Sequence, residues 1–240
     1  MHKSSYNNMQ RFVAEYLSSY QDTKIRIADI GAQEINESYR PIFDNPLWEY
    51  VGIDIEQGKN VDIVVQDIYN WSELQGDSFD VVISGQAFEH IEYFWITMLE
   101  IRRIMKPSGL CCIIAPSGGK EHRYPVDCWR FYPDGFKALA KYAALEVLDV
   151  YVQWDKKKWP DRHEKWQDCV LIGRKHDATP PPNKRKLHSS SSHLPMEYSL
   201  DIQLRNVLPI IQNRIMKQTT WFGEKSLKSF GLLGVSRNYL

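Results

Sequence analysis

The sequence has no surplus of charge of either sign. Thirty lysines and arginines stand against thirty aspartates and glutamates, and the formal net charge is zero. Chains that bind nucleic acid are usually clearly basic, so no nucleic-acid partner is expected. Cysteine is scarce. The four present, Cys111, Cys112, Cys128 and Cys169, include no Cys-x-x-Cys pair. That excludes the common zinc spacings and any disulfide framework, and reduced thiols in a cytoplasmic protein are expected. No apolar run reaches the length of a membrane span, and the polar start Met1–Asn7 leads into none; neither a transmembrane helix nor a signal peptide is expected. A glycine-rich loop for a pyrophosphate is also missing, which disfavours a nicotinamide dehydrogenase.

What is present is an ordinary globular composition over 240 residues, 43% hydrophobic and 25% charged. That suffices for one α/β domain with an added segment. Short runs rich in Ile and Val read as strands: Ile25–Ile30, Tyr50–Ile55, Val61–Val65, Phe79–Ser84 and Leu110–Ala115. Their nearly continuous hydrophobicity fits parallel strands buried on both faces. Helices are expected over Asn8–Tyr20, Glu34–Phe43 and Ile91–Met105, the last ended by Lys106-Pro107-Ser108-Gly109. After a long loop, Pro116–Pro133, a helix fits Asp134–Ala144. Two strands follow without a helix between them, Leu145–Val152 and Trp166–Arg174, and these suggest an antiparallel hairpin at the sheet edge. The expected fold class is α/β: a Rossmann-like, seven-stranded, mostly parallel sheet with an antiparallel last strand, followed by a C-terminal tail.

In open α/β sheets ligands sit outside the carboxyl ends of the strands, and four successive strand ends carry suitable residues. Asp29 and Gly31 end the first, with Ala32 next. Gly31 permits a tight turn and close approach, and Asp29 can hold a polar network or a cofactor's ammonium. Asp54 ends the second, followed by Ile55, and its carboxylate can accept both hydroxyls of a ribose. Past the third, Asp67 can accept an adenine amino group while Ile68 packs on the ring. The fourth emerges at Ser84-Gly85-Gln86, beneath the amino-acid part of such a cofactor. Each position alone also reads as a plain strand end; the ordered set of four is the signal.

With these motifs in place, the stretch Ile25–Arg174 resembles the class I S-adenosylmethionine (SAM)-dependent methyltransferases of the type 11 group, in particular the bacterial subgroup encoded among surface-polysaccharide genes. The resemblance is carried by Ala28-Asp29-Ile30-Gly31, Ser38-Tyr39-Arg40-Pro41, Tyr50-Val51-Gly52-Ile53-Asp54, Ser84 to His90, Lys106-Pro107-Ser108-Gly109 and His122 to Phe131. The sequence departs from the group's common Gly-x-Gly at Ala32-Gln33. The resemblance implies S-adenosyl-L-methionine as cofactor, and a hydroxyl acceptor on a sugar, glycan or related metabolite.

Two groups of residues can carry the chemistry. His90, after the fourth strand, can take a proton from a hydroxyl near neutral pH; alternatively, Glu89-His90 only opens the next helix. The set Gln86, Glu89, His90 is similar to that of metal-assisted quinone O-methyltransferases, but Gln86 stands where those carry an acid, and no metal is expected. In the loop after the fifth strand, His122 and Asp127 can form a base with its orienting carboxylate, Tyr124 and Trp129 can stack on a sugar, and Arg130 can clamp an anion. The alternative is a loop held by its own bonds, with Trp129 in the core and Arg130 paired to Asp127. Tyr6 and Met9 can close over the cofactor or simply pack.

Residues 1–175 are expected to form the methyltransferase domain, 176–195 a flexible linker rich in Pro, Ser, Lys and Arg, and 196–240 a helical tail. From His176 on, nine lysines and arginines face four aspartates and glutamates. Such a tail can touch an anionic membrane surface, or pack on its own domain or on a second copy in a homodimer. Besides O-methylation, methyl transfer to another small molecule and a non-catalytic SAM-binding scaffold remain open; two histidines at the rim favour catalysis.

Overall fold

The computed structural model describes residues 2–35 and 37–176. The expected linker and helical tail therefore lie outside the described residues. A seven-stranded sheet runs in the order β3-β2-β1-β4-β5-β7-β6. Its strands are β1 (Ile25–Ile30), β2 (Trp48–Asp54), β3 (Ile63–Val64), β4 (Phe79–Gly85), β5 (Met105–Pro116), β6 (Leu145–Val152) and β7 (Asp168–Lys175). The first five pair in parallel, whereas β7 lies antiparallel between β5 and β6. The expected fold class is thus the observed one. The Lys106-Pro107-Ser108-Gly109 turn falls within β5, where the register with β4 shifts and Ser108 takes a left-handed φ of 60°.

Both faces of the sheet are covered. Along β4 and β5 alternate residues point to opposite sides: Val82, Cys111 and Ile113 to one core, Val81, Ile83, Cys112 and Ile114 to the other. The first core is roofed by α2 (Phe94–Ile104) and α3 (Pro133–Tyr142) and contains Trp71, Phe88 and Phe131. The second lies under α1 (Lys3–Tyr16), whose Met9 and Phe12 are buried. Tyr6 packs against this same core, so neither Tyr6 nor Met9 is displayed as a lid. Burying a large apolar side chain contributes about 1.5–3 kcal/mol, and the continuous apolar runs of the sequence supply two such layers. α2 carries Arg102 and Arg103 in its last turn and α3 starts on Pro133-Asp134, charges and ring placed as the helix dipole and first-turn geometry favour. Among the described residues no helix is long and apolar enough to cross a membrane.

One expected element is absent. Glu34–Phe43 is not a helix; only a short 3₁₀ turn, Arg40–Phe43, forms there. Pro41 fits only a first helical turn. Arg40 instead reaches across β2, donating to Asn60 Oδ1 at 2.6 Å, pairing with Asp62 at 2.5 Å and lying over the Tyr50 ring. Ile35 is left 52% exposed, so the apolar face needed to hold a helix down was never there. This segment lines an open cleft of about 640 Å³ with Trp48, Tyr50 and Asn60.

Lys175 closes the last strand. It is buried, its Nζ donates to the Met105 carbonyl at 2.6 Å, and it pairs with Asp77. A chain ending after His176 is expected to unfold cooperatively and to keep its cofactor affinity. A chain ending after Arg174 should be less stable by about 1–3 kcal/mol, because the Met105 carbonyl and Asp77 lose their donor. Urea unfolding of both truncations checks this; equal midpoints would remove Lys175 from the account.

Candidate functional site

The carboxyl ends of β1, β2, β4 and β5 form one rim. At the end of β1, Gly31 has φ +77°, and a Cβ there would lie 2.6 Å from Ala87 Cβ in the loop after β4. Only glycine admits that approach. The amides of Gly31 and Ala32 donate to the Ile53 carbonyl, which holds the turn against β2, and Ala32 is buried. Asp29 is buried as well; Tyr50 donates its hydroxyl to Oδ2, and Oδ1 has no partner among the described residues. Burial pushes this carboxyl up to about 7, against the Tyr50 hydrogen bond that lowers it.

Asp54 accepts the amides of Gln33 at 2.9 Å and Ile55 at 2.7 Å. A carboxylate accepting two donors keeps lone pairs for two more. Beside it Ile55 presents an apolar side chain that is 47% exposed. Asp67 caps its own turn through the Tyr69 amide, while Ile68 rests partly buried on the core. The residues at these ends suit SAM: a buried carboxylate oxygen without a partner among the described residues, a second carboxylate with spare lone pairs, and the exposed Ile55 beside it. Two other expected contacts are committed elsewhere. Ser84 is fully buried and donates to the Ile30 carbonyl. Gln86, in a left-handed conformation, donates to Asp168 Oδ1 at 3.0 Å and Ser5 Oγ at 3.4 Å. Asp168 had no sign in the sequence beyond its place in the expected strand Trp166–Arg174. It is fully buried and also takes donors from His2, Ser4 and Asn8.

The loops after β4 and β5 bring the two histidines together. The rings of His90 and His122 meet edge to face, 4.9 Å between centroids. Glu89 lies beneath them with no exposed surface. Neither of its carboxylate oxygens has a hydrogen-bond partner among the described residues, and Oε1 lies 3.7 Å from His90 Nε2. Burial pushes this carboxyl up to about 8. The Glu89 carbonyl accepts the amides of Cys128 and Trp129 and so pins the second loop to the first. His90 places Nδ1 2.5 Å from the Val126 carbonyl; a carbonyl only accepts, so Nδ1 carries the proton and Nε2 the lone pair. His122 packs on Trp166 at 4.4 Å, with Nδ1 3.3 Å from Asp127 Oδ2; burial lowers its pKa.

Asp127 and Arg130 form a two-pronged pair at 2.6 and 2.8 Å, and Asp127 also accepts the His122 amide at 2.6 Å. These bonds, Arg130's first, hold Asp127 well below the usual carboxylate range. Arg130 also donates to the carbonyls of Lys120 and Trp129. Both terminal nitrogens of its guanidinium are engaged inside the loop, so they do not face outward as the expected anion clamp. Trp129 donates to the Ile91 and Glu92 carbonyls and packs on Phe94, leaving 38% exposed; Tyr124 is the open ring, 57% exposed.

Residues 34–113, a third of the chain, match a family described as "Methyltransferase domain". No curated protein matches the sequence. Solved structures with similar folds include the YcgJ protein of Bacillus subtilis (TM-score 0.54, 14% identity, 74% of this chain and 100% of that one). A SAM-dependent methyltransferase of Methanosarcina mazei gives TM-score 0.51 at 14% identity, over 68% and 97%. The [4+2]-cyclase SpnF gives 0.53 at 16% identity, over 71% and 81%. At such identities the likeness carries the fold alone, and a fold hosts more than one chemistry. The matched domain is a methyltransferase domain, and S-adenosyl-L-methionine is the cofactor it implies.

Asp29 yields a pH prediction. Its carboxyl titrates higher folded than unfolded, so its contribution to stability is full at acid pH and is lost as pH rises through about 7. In the cofactor-free protein Asp29→Asn should gain on the wild type by about 1.4 kcal/mol for each pH unit between the ordinary carboxylate value of about 4 and about 7, and the gain should level off above that point. Denaturant titrations between about pH 5 and pH 9 read the difference; a constant offset would mean that Asp29 does not titrate in this range.

Proposed function

We propose that the protein, through its SAM-dependent methyltransferase domain, methylates a hydroxyl oxygen of a sugar, glycan or related cell-surface metabolite. The observation that supports an oxygen acceptor is the meeting of His90 and His122 over buried Glu89 at the sheet rim. An alcohol is a poor nucleophile near neutral pH unless its proton is drawn off, and proton transfer is what a pair of imidazoles at the acceptor's entrance can supply. Tyr124 offers an exposed ring face of the kind that packs on sugars.

In this reading Asp54 accepts the ribose hydroxyls, Ile55 and Ile68 flank the adenine, Asp67 takes its amino group and Asp29 offers Oδ1 to the ammonium. Gly31 and Ala32 shape the floor between them. Bound SAM supplies a methyl carbon that is already electrophilic. The chain's own part is to align the acceptor, which can provide a large share of the rate, and to receive its proton. His90 is fit for this through Nε2, its tautomer set by Val126. His122 is oriented by Asp127 and Trp166. Arg130 is a positioning residue, acting on His122 through Asp127.

Asp54→Ala should weaken SAM binding more than about tenfold, since hydrogen bonds to a charged group are worth about 1.5–3 kcal/mol. Calorimetry on the folded variant decides; unchanged affinity would displace Asp54 from the site. Acceptors are found by incubating nucleotide sugars and glycan intermediates with SAM and reading the methyl mass increment. With an acceptor in hand, His90→Ala and His122→Ala should lower turnover by about 10²–10⁴-fold with SAM affinity near normal. Arg130→Ala should reduce kcat as well as raise KM, because it frees the loop that holds His122; an effect on KM alone would return Arg130 to acceptor binding.

A further inference from the structure

We propose that Glu89, His90 and His122 form a binding site for one divalent transition-metal cation of the zinc or cobalt type. Each contributes a ligand atom, and these atoms all lie within 4.8 Å of one another, a separation that a cation bonding to each at about 2.0–2.2 Å can close with small side-chain movements. The set is two imidazole nitrogens and one carboxylate oxygen, the composition of open catalytic zinc sites, whereas magnesium prefers an all-oxygen shell.

Three further observations point to a ligand rather than to packing. First, Glu89 is buried with both carboxylate oxygens bare among the described residues, although such groups in a fold are ordinarily bonded. The oxygen nearest His90 Nε2, Oε1, lies 3.7 Å from it, too far for a hydrogen bond and close enough to share an ion. Second, His90 donates Nδ1–H to the Val126 carbonyl and leaves Nε2 bare, as metal-bound histidines usually do, while His122 keeps a buried Nδ1 with no hydrogen bond among the described residues, 3.3 Å from the Asp127 carboxylate. Third, the framework is braced before any ion arrives: the Glu89 carbonyl takes two amides of the opposite loop, Asp127 is locked by Arg130, and His122 packs on Trp166. Gln86, the residue that the sequence pattern would put in such a set, turns away to Asp168, and His122 from the next loop takes its place.

The His122 side chain is 40% exposed, so the cluster opens to solvent on the side where an acceptor would enter. Three protein ligands leave at least one position for a hydroxyl, and a cation there makes that hydroxyl more acidic, its proton passing to water. In this state the imidazoles serve as ligands; without the ion they can serve as bases. The role in catalysis rests on the methyl-transfer reading, but the site itself does not.

The test uses untagged full-length protein, stripped with chelator and titrated with Co²⁺, followed by visible absorption and calorimetry. Saturation at one equivalent is expected, with the intense d–d bands of a four- or five-coordinate site, and with no displacement by Mg²⁺. Glu89→Gln, which keeps the shape of the side chain, and His122→Ala should abolish the bands. Asp127→Asn should weaken binding by about 10–100-fold, as loss of an outer partner does. Absence of a saturable band in the wild type, or wild-type binding by Glu89→Gln, overturns the site. Cobalt uptake without methylation of any hydroxyl would count against the function proposed above and leave the metal site standing. Chelator-insensitive methylation by a protein that takes up no cobalt would do the reverse.

Discussion

A single buried carboxylate governs how the upper rim is assembled. Asp168 has no exposed surface, and a carboxyl group in such a place must find its hydrogen-bond partners inside the fold. The donors come from far apart in the chain: His2 just before α1, Ser4 and Asn8 within it, and Gln86 just after β4. Satisfying Asp168 therefore draws α1 across the sheet and bends the chain after β4. Because β7 runs antiparallel to β5, its first residue pairs with the last of β5, Pro116, and so reaches the rim where the parallel strands end. The reversed strand places an acid where a parallel one would have placed its exit.

Two other carboxylates near that rim have opposite surroundings. Asp127 receives both prongs of Arg130 and a backbone amide, and stays ionised. Glu89, whose carboxylate oxygens have no hydrogen-bond partner among the described residues, is driven toward its neutral form by burial. Divergent environments for neighbouring acids are a mark of sites built for chemistry rather than for packing. The division of labour follows from it: Asp127 organises a loop, whereas Glu89 is held in readiness for whatever the loop admits.

Much of this was legible in the amino-acid order. The strands were plain because Ile- and Val-rich runs buried on both faces leave a continuous signal; β1 and β6 have the expected limits. The positions of His90 and His122 after β4 and β5 followed from topology alone. Their contact did not, since two loops must fold toward each other before rings 32 positions apart can meet. The expected helix over Glu34–Phe43 failed because a local pattern does not reveal that Arg40 finds better partners across β2. Arg130 illustrates the same limit: composition marks an arginine in a functional loop, but only the fold tells whether its guanidinium faces a ligand or an aspartate three residues away. Glu89 is the extreme case, an acid indistinguishable in sequence from a solvated helix start and in fact without any exposed surface.

The cysteines have a practical consequence. Cys111 and Cys112 are neighbours in β5, yet they face opposite cores and are sealed from solvent, as is Cys169. Of the four thiols in the chain only Cys128 is exposed, and its own amide is bonded to the Glu89 carbonyl. A maleimide fluorophore or spin label added to the unmodified protein should therefore attach at one place, on the loop that carries His122. No cysteine would have to be engineered in or out for a spectroscopist to watch that loop respond as ions, cofactors and candidate acceptors are added.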